Sequence, residues 1–288
     1  MTLKIIIWDV RHGSGAYIQT PDGRNIVQDL GVGKWETNDE VFSPLEHLRD
    51  DWGVKQLDQV IITHPNKDHI DDIMNFDSLD PLQFLCPKHL SKEDILRDVT
   101  SDDMHLFAEY FRIINKYTGE VTDDEDLTIP ENTGGVNINH FHPYECSTSR
   151  TINDHSIVTV LSYAGSKVII PGDNEECSWK ELLELPKFRA AIDGTDILIA
   201  PHHGSKHGYY TELFDYFTPK LVVVSDGPKQ DTSFVSAYGQ QSAGWVVHHR
   251  RDHPKESRKT VTTRSDGVIE ITIGYNTPKK PFLQVKIN

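Results

Sequence analysis

Residues 60–73 read VIITHPNKDHIDDI. A β-branched run ends at Thr63, and His64, Asp68 and His69 follow at once. Imidazole nitrogen and carboxylate oxygen are the donors of catalytic zinc and manganese sites. A loop leaving a strand can aim all three into one cleft. Taken alone, the same residues also fit a helix N-terminus with surface histidines. Asn66 stands where a further imidazole would complete the set. Its neutral amide oxygen suits Mn2+ or Mg2+ and is a weaker ligand for Zn2+.

Two more apolar runs end in such groups. VIIPGDNEE, residues 168–176, carries Asp173, which could bridge two cations about 3.5–4 Å apart. It fits equally well as the N-cap of a helix from Glu175 onward. ILIAPHHGSKHG, residues 197–208, carries His202 and His203. Neighbouring side chains on a strand point to opposite faces, so only one of the pair is expected to face a metal. Ser205 and His207 follow as candidates for touching substrate. A fourth stretch, VVHHRRDH at 246–253, joins His248, His249 and His253 to Arg250, Arg251 and nearby Lys255. This locally basic patch could meet a phosphate, with His248 and Arg250 in contact; a solvated loop is the plain alternative.

These groups need strands to present them. LKIIIW, residues 3–8, reads as a buried strand, and GAYIQTPDGRNIVQDLG as a hairpin about Pro-Asp-Gly. PLEHLRDDWG predicts a short helix stopped by Gly53, and LDQVIIT a strand running into His64. A helix is expected to begin in HIDDIMNF. Residues 91–117 carry helical spacing in Leu106, Phe107, Tyr110, Phe111 and Ile114. Residues 118–135 read as an acidic loop and GVNINHFHPY as a short strand. SIVTVLSYAGSKVIIPGD predicts a strand pair, EECSWKELLEL a helix, and TDILIAPHHGS and KLVVVSDG two further strands. TVTTRSDGVIEITI reads as a hairpin about Asp-Gly. Two strand sets, each followed by helices, predict an α/β protein with a four-layer αββα sandwich in one domain, residues 1–288.

The 288 residues carry a net charge of −15, which argues against tight non-specific duplex binding. A nuclease stays open, because bound cations bring local positive charge. Cys86, Cys146 and Cys177 are widely spaced and read as free thiols rather than a zinc ribbon or disulfide framework. The runs IIIW, VIIT and LVVV are strand-sized and far short of a membrane span. The opening MTLKIIIWDV is too short for a secretory apolar region, so a cytoplasmic protein with no membrane contact is expected.

Together HPNKDH, PGD and PHHGS resemble the metallo-β-lactamase-fold hydrolases, and specifically the soluble hydrolase domain of ComEC-type competence proteins. WDVRHGSGAYIQTPDGRNIVQDLG resembles that branch's opening hairpin, and NDHSIVTVLSYAGSKVIIPGDNEE its central strand pair, with Asn153 and Ser156 in place. RKTVTTRSDGVIEI resembles its closing hairpin. The resemblance covers most of the chain outside roughly 75–150, read as a helical and loop insertion, and 226–255. It implies two divalent ions, Zn or Mn, one held less tightly. His64 would bind the first, Asp68, His69 and His203 the second, and Asp173 would bridge them. The nucleophile would be a metal-bound hydroxide that Asp68 helps orient, so His64, Asp68 and Asp173 carry the catalysis.

Several residues depart from the branch's pattern. Arg11 and Ser14 replace small or acidic residues, and Asp71 and Asp72 stand where Gly-Gly is usual. His155 stands near a position that is often Asn. His155 is therefore a candidate for the nitrogen ligand that Asn66 does not supply, and otherwise a support for the strand entrance. His202 is a further candidate ligand.

The resemblance implies a phosphodiesterase or nuclease acting on nucleic acid or a nucleotide, with a partner protein to supply nucleic-acid grip. Hydrolysis of an ester, lactone or amide is the alternative on the same fold. A non-catalytic module with a decayed metal site is a third, and Asn66 is the feature in its favour.

Overall fold

The strand β1 (Thr2–Ile7) shows why the molecule is layered. Leu3, Ile5 and Ile7 enter one apolar core while Ile6 enters another, so both faces of the strand are buried. The computed structural model describes residues 1–33, 41–143, 151–227, 234–250, 255–277 and 279–288. Along the chain, β2 (Ala16–Gln19), β3 (Asn25–Gln28), α1 (Pro44–Asp50), β4 (Gln59–Ile61) and α2 (Lys67–Ile70) come first. Next are β5 (Gln83–Leu85), α3 (Lys92–Leu96), α4 (Met104–Lys116) and β6 (Asn137–Phe141). The second half holds β7 (Val158–Tyr163), β8 (Ser166–Ile170), α5 (Glu176–Glu184), α6 (Pro186–Ile192), β9 (Ile197–Ile199) and β10 (Leu221–Val224). It closes with α7 (Val235–Gln241), β11 (Trp245–His249), β12 (Lys255–Arg258), β13 (Thr260–Thr262), α8 (Thr263–Asp266), β14 (Ile269–Tyr275) and β15 (Pro281–Ile287).

Nine strands form one sheet in the order β12-β11-β15-β14-β1-β2-β3-β4-β5, and six form the other, β13-β10-β9-β8-β7-β6. The core between the sheets draws on Ile5, Ile18 and Ile271 from the first and Leu161, Ile170, Ile199 and Val223 from the second. On the outer face of the first sheet, Val27 and Val60 pack with Leu48 of α1 and Tyr110 of α4. On the outer face of the second, Val160, Leu198 and Val222 pack with Trp179 of α5 and Phe188 of α6. This is the αββα sandwich, and strands from both halves of the chain share its central core. Each fully buried aliphatic side chain contributes roughly 1.5–3 kcal/mol. Among the described residues no helix is long and apolar enough to cross a membrane.

Parallel pairing positions the site. β3 and β4 are parallel neighbours in the first sheet. β8, β9 and β10 are parallel neighbours in the second. Their carboxyl ends lead into Asp29, Thr63–His64, Pro171–Asp173, Pro201–His203 and Ser225. Crevices beyond the carboxyl ends of parallel strands are where such sheets collect ligand-binding loops.

Three local expectations need correction. TVTTRSDGVIEITI is not a hairpin, because β13 pairs with β10 in the second sheet and β14 pairs with β1 in the first. The chain crosses between sheets through α8. The Thr262 hydroxyl accepts from Ser265 N–H at its start, and Asp266 accepts from the Thr262 amide at 2.9 Å. The helix expected in HIDDIMNF is the four-residue α2 followed by a 3-10 segment, Ile73–Leu79. Residues 91–117 hold two helices rather than one, and the adjoining region is more than helix and loop. β5 and β6 within it are the edge strands of the two sheets.

Candidate metal centre

Asp68, His69, Asp173 and His203 each offer one donor atom within 4.8 Å of all the others. His69 Nε2 lies 3.4 Å from Asp173 Oδ1. His203 Nε2 lies 3.2 Å from Asp68 Oδ2 and 3.5 Å from Asp173 Oδ2. His64 stands beside them, its Nε2 at 4.0 Å from Asp173 Oδ2 and its ring centroid 4.1 Å from that of His69.

The far nitrogen of each imidazole is already held. His69 Nδ1 sits 2.9 Å from Asp29 Oδ2 and so donates its proton there. Asp29 is itself fixed by the Thr63 amide at 2.8 Å and hydroxyl at 3.0 Å. His203 Nδ1 donates to the Ser225 carbonyl at 3.0 Å. His64 Nδ1 lies 3.1 Å from Ser156 Oγ and 3.2 Å from Thr63 Oγ1. Protons on Nδ1 leave the Nε2 lone pairs aimed at the carboxylates, the tautomer that a ligating histidine needs. Nε2 of His64 and of His69 are buried without a hydrogen-bond partner. Two orphaned lone pairs facing two carboxylates fit a divalent cation.

The charges agree. Burial alone would raise the Asp68 and Asp173 pKa values, but the nearby imidazoles of His69 and His203 hold both carboxyls below the usual range. Burial pulls the other way on His69 and His203, and the surrounding carboxylates outweigh it and raise both. His64 is different: burial, and then His69, lower it to about 3, so it stays neutral.

Backbone shape completes the presentation. His202 and His203 were expected at a strand end with alternating faces, yet both lie in a left-handed turn, at φ 48° and 54°. Non-glycine residues rarely sit there, and such strain concentrates at functional sites. Gly172, at φ 63°, could not carry a side chain, since a Cβ would come within 2.8 Å of Thr63 Cβ. That contact seats the Asp173 loop against the His64 strand.

Other predicted residues lie elsewhere. Asn66 donates to Asn153 Oδ1 at 2.6 Å, Asn153 donates to Glu175 Oε1 at 3.1 Å, and Glu175 Oε1 lies 3.0 Å from His202 Nδ1. Asn66 and His202 therefore belong to a polar chain along the rim, outside the four-donor cluster. His155 turns its Nδ1 to His89 Nε2, 3.0 Å away. Ser205 is buried beside the His202 turn, and His207 is exposed, with its ring 6.1 Å from that of His202. Asp72 supports the scaffold, accepting from Ser43 Oγ, the Leu45 amide and Asn75 Nδ2 and so pinning the start of α1. Arg250 donates to the Val268 carbonyl and to Asn288 Oδ1, both at 2.7 Å, at the junction of β11 and β15. His248 lies on β11, and His249 Nε2 lies 2.9 Å from Glu256 Oε1. Arg251, His253 and Cys146 lie outside the described residues; Cys86 and Cys177 are free thiols.

Sequence reasoning missed Asp29, Ser225 and Glu175. Asp29 carried a usable signal, since QDLG ends a strand in an acid as VIIPGD does. Ser225 acts through its carbonyl, which no side-chain pattern reveals.

No protein-family model matches the chain. It is 27% identical over 183 residues to ComE operon protein 3 of Bacillus subtilis strain 168, a match covering 61% of this chain and 20% of that protein. The chain thus matches about a fifth of that relative's length. Among solved structures it is similar to a diphosphatase from the PhnP family, with 11% identity and a TM-score of 0.45, covering 94% of this chain and 99% of that one. Zinc-bound PqqB from Methylobacterium extorquens gives 10% and 0.43, covering 92% and 99%. Human short-form tRNase Z gives 14% and 0.40, covering 79% and 94%. The chain has the metallo-β-lactamase fold, and its sequence is similar to part of ComE operon protein 3.

Proposed function

We propose that the chain is a metal-dependent hydrolase, and most specifically a phosphodiesterase or nuclease acting on nucleic acid or a nucleotide. The observation that carries the reading is the convergence of Asp68, His69, Asp173 and His203, with His64 adjoining, at the carboxyl ends of parallel strands. Divalent cations bound there supply Lewis acidity, lowering the pKa of water and offsetting charge that builds on a phosphoryl oxygen. Asp173 adjoins both His64 and the His69/His203 pair, so it would serve as a ligand common to both sides of the centre. Asp29, Ser156 and the Ser225 carbonyl keep the imidazole protons on Nδ1. The Asp68 side chain is 29% exposed where the other members are nearly closed off, which leaves substrate an approach on its side. His202, held by Glu175, and His207 stand at the rim in reach of a bound substrate.

The resemblance of HPNKDH, PGD and PHHGS to ComEC-type domains supports the choice of nucleic acid, and a partner protein would then supply grip that a net charge of −15 does not. A carboxylic ester or lactone is the second reading. It is favoured by the engagement of Arg250 within the fold, which removes one expected phosphate contact. The test is a panel of single- and double-stranded DNA, RNA, cyclic nucleotides and aryl esters, with Mn2+ and Zn2+ compared. Phosphodiester cleavage that Asp173→Ala and His64→Ala both abolish is expected; cleavage of aryl esters alone favours the second reading. Unchanged rates in both variants refute the assignment.

A further inference from the structure

The strand β5 closes one end of the nine-stranded sheet, and its only strand partner is β4. Gln83 N–H donates to the Asp58 carbonyl at 3.1 Å, and the Leu85 carbonyl accepts from Ile62 N–H at 2.9 Å. Successive residues of a strand turn their backbone groups to opposite sides, so Phe84 directs its N–H and C=O to the free edge. Pro81 and Pro87 bracket this edge and supply no N–H, which limits the template to residues 82–86. It matches an extended guest of about five to six residues.

A cleft of ≈ 1110 Å3 adjoins the edge, lined by all of residues 80–86 and by residues drawn from 116–127. Leu82 and Val121, one from each segment, are exposed apolar side chains in it. Gln59, also in the lining, is 8% exposed, and its Oε1 has no hydrogen-bond partner. A guest N–H or ammonium would satisfy that acceptor. Gln59 Nε2 donates to Gln83 Oε1 at 3.2 Å and Gln83 Nε2 to the Glu125 carbonyl at 2.6 Å, which fixes the acidic segment against the strand. The charges select the guest. Arg24 is paired with Asp58 at 2.9 Å, Lys116 with Asp77 at 3.1 Å, and Lys88 Nζ donates to the Tyr117 carbonyl at 3.2 Å. Asp80, Glu120, Asp124 and Glu125 also line the cleft and have no Lys or Arg ion pair among the described residues. Such a cleft attracts a cationic guest and repels a nucleic acid.

We propose that this cleft docks an extended segment of a partner protein, in which lysine or arginine alternates with apolar residues, as an added strand on β5. The guest backbone pairs with Phe84 N–H and C=O, its apolar side chains meet Leu82 and Val121, and its cations meet the four carboxylates. A partner held there stands one strand from β4, whose carboxyl end presents His64.

The test titrates the full chain with two sets of capped hexapeptides, in which Lys or Glu alternates with Val, Ile or Phe, while amide hydrogen exchange is followed at Phe84. The proposal expects a member of the lysine set to bind with Kd below about 1 mM and the glutamate set not to bind. Bound peptide should slow Phe84 N–H exchange at least about tenfold. Glu120→Lys with Asp124→Lys, both at exposed positions, should weaken binding at least about tenfold. N-methylation of the peptide amides that face β5 should abolish it with the protein unaltered. No binding by any lysine peptide, equal binding by the glutamate set, or affinity indifferent to the charge reversals or to N-methylation overturns the proposal. So does unchanged Phe84 exchange in the complex. A chain that sediments as a dimer with Phe84 protected before peptide is added places a second copy on the edge and overturns it too. None of these results depends on metal or on hydrolysis.

Discussion

The two corners of the metal centre are built to different standards. At one, Asp68, His69, Asp173 and His203 converge, with the Nδ1 atoms of both histidines anchored on Asp29 and on the Ser225 carbonyl. At the other, His64 is equally well oriented but stands alone. Asn66, where the resemblance leads one to look for a second ligand, is hydrogen-bonded to Asn153, and His155 faces His89. The first corner is a complete donor set; the second borrows Asp173 and adds one imidazole. The number of converging donors separates them, since His64 Nδ1 is held by Ser156 and Thr63 much as the other two imidazoles are held.

The largest effect is expected where the corners share a residue. Asp173→Ala should lower metal-dependent cleavage of bis-nitrophenyl phosphate by about a thousandfold or more and reduce metal content. Steady-state rates and metal analysis measure both. Asp29→Asn acts directly on the complete corner, through His69, and reaches His64 only indirectly, through Thr63; it should weaken metal affinity at the complete corner about 10–100-fold, read by calorimetric titration. An effect as large on His64-side binding would blur the distinction. Asn66→His adds the missing donor and should tighten a second equivalent of Zn2+ about tenfold while leaving the first unchanged. No gain would mean that Asn153 and Glu175 dictate the pocket whatever stands at 66. His155→Ala should change cleavage less than about twofold, because its ring points away from both corners.

A scaffold effect must be separated from metal loss in acid. Burial lowers the His140 pKa to about 4. Protonation there favours the unfolded chain, so its contribution to stability is complete above about pH 6.5 and is lost as pH falls through about 4. Urea melts of the metal-free protein should show that acidification costs wild type more than His140→Gln.

Much of this was legible in the sequence. VIIT, VIIPGD and ILIAPHH announce strands ending in ligands, and parallel pairing does bring those ends together. What was hidden has physical causes. The left-handed turn at His202 and His203 violates strand alternation, because Pro201 and Gly204 take the chain out of the sheet before those residues can alternate. Asp266 closes onto Thr262 and sends the last segment from one sheet to the other, which a local Asp-Gly signal mimics as a hairpin. β5, three residues long, is too short for periodicity to register. The engagement of Asn66 depends on Asn153, 87 positions away, and the anchoring of His203 depends on a carbonyl.

The central claim is that the Asp68/His69/Asp173/His203 corner is the tight metal site. Its most direct test is Zn2+ titration of the full chain, with and without Asp68→Ala and His203→Ala, followed by calorimetry and metal counting. The account predicts one tight equivalent plus a second weaker by about tenfold or more, with the tight one lost when Asp68 and His203 are removed. Less than about half an equivalent bound, or a tight equivalent that survives their removal, would contradict it.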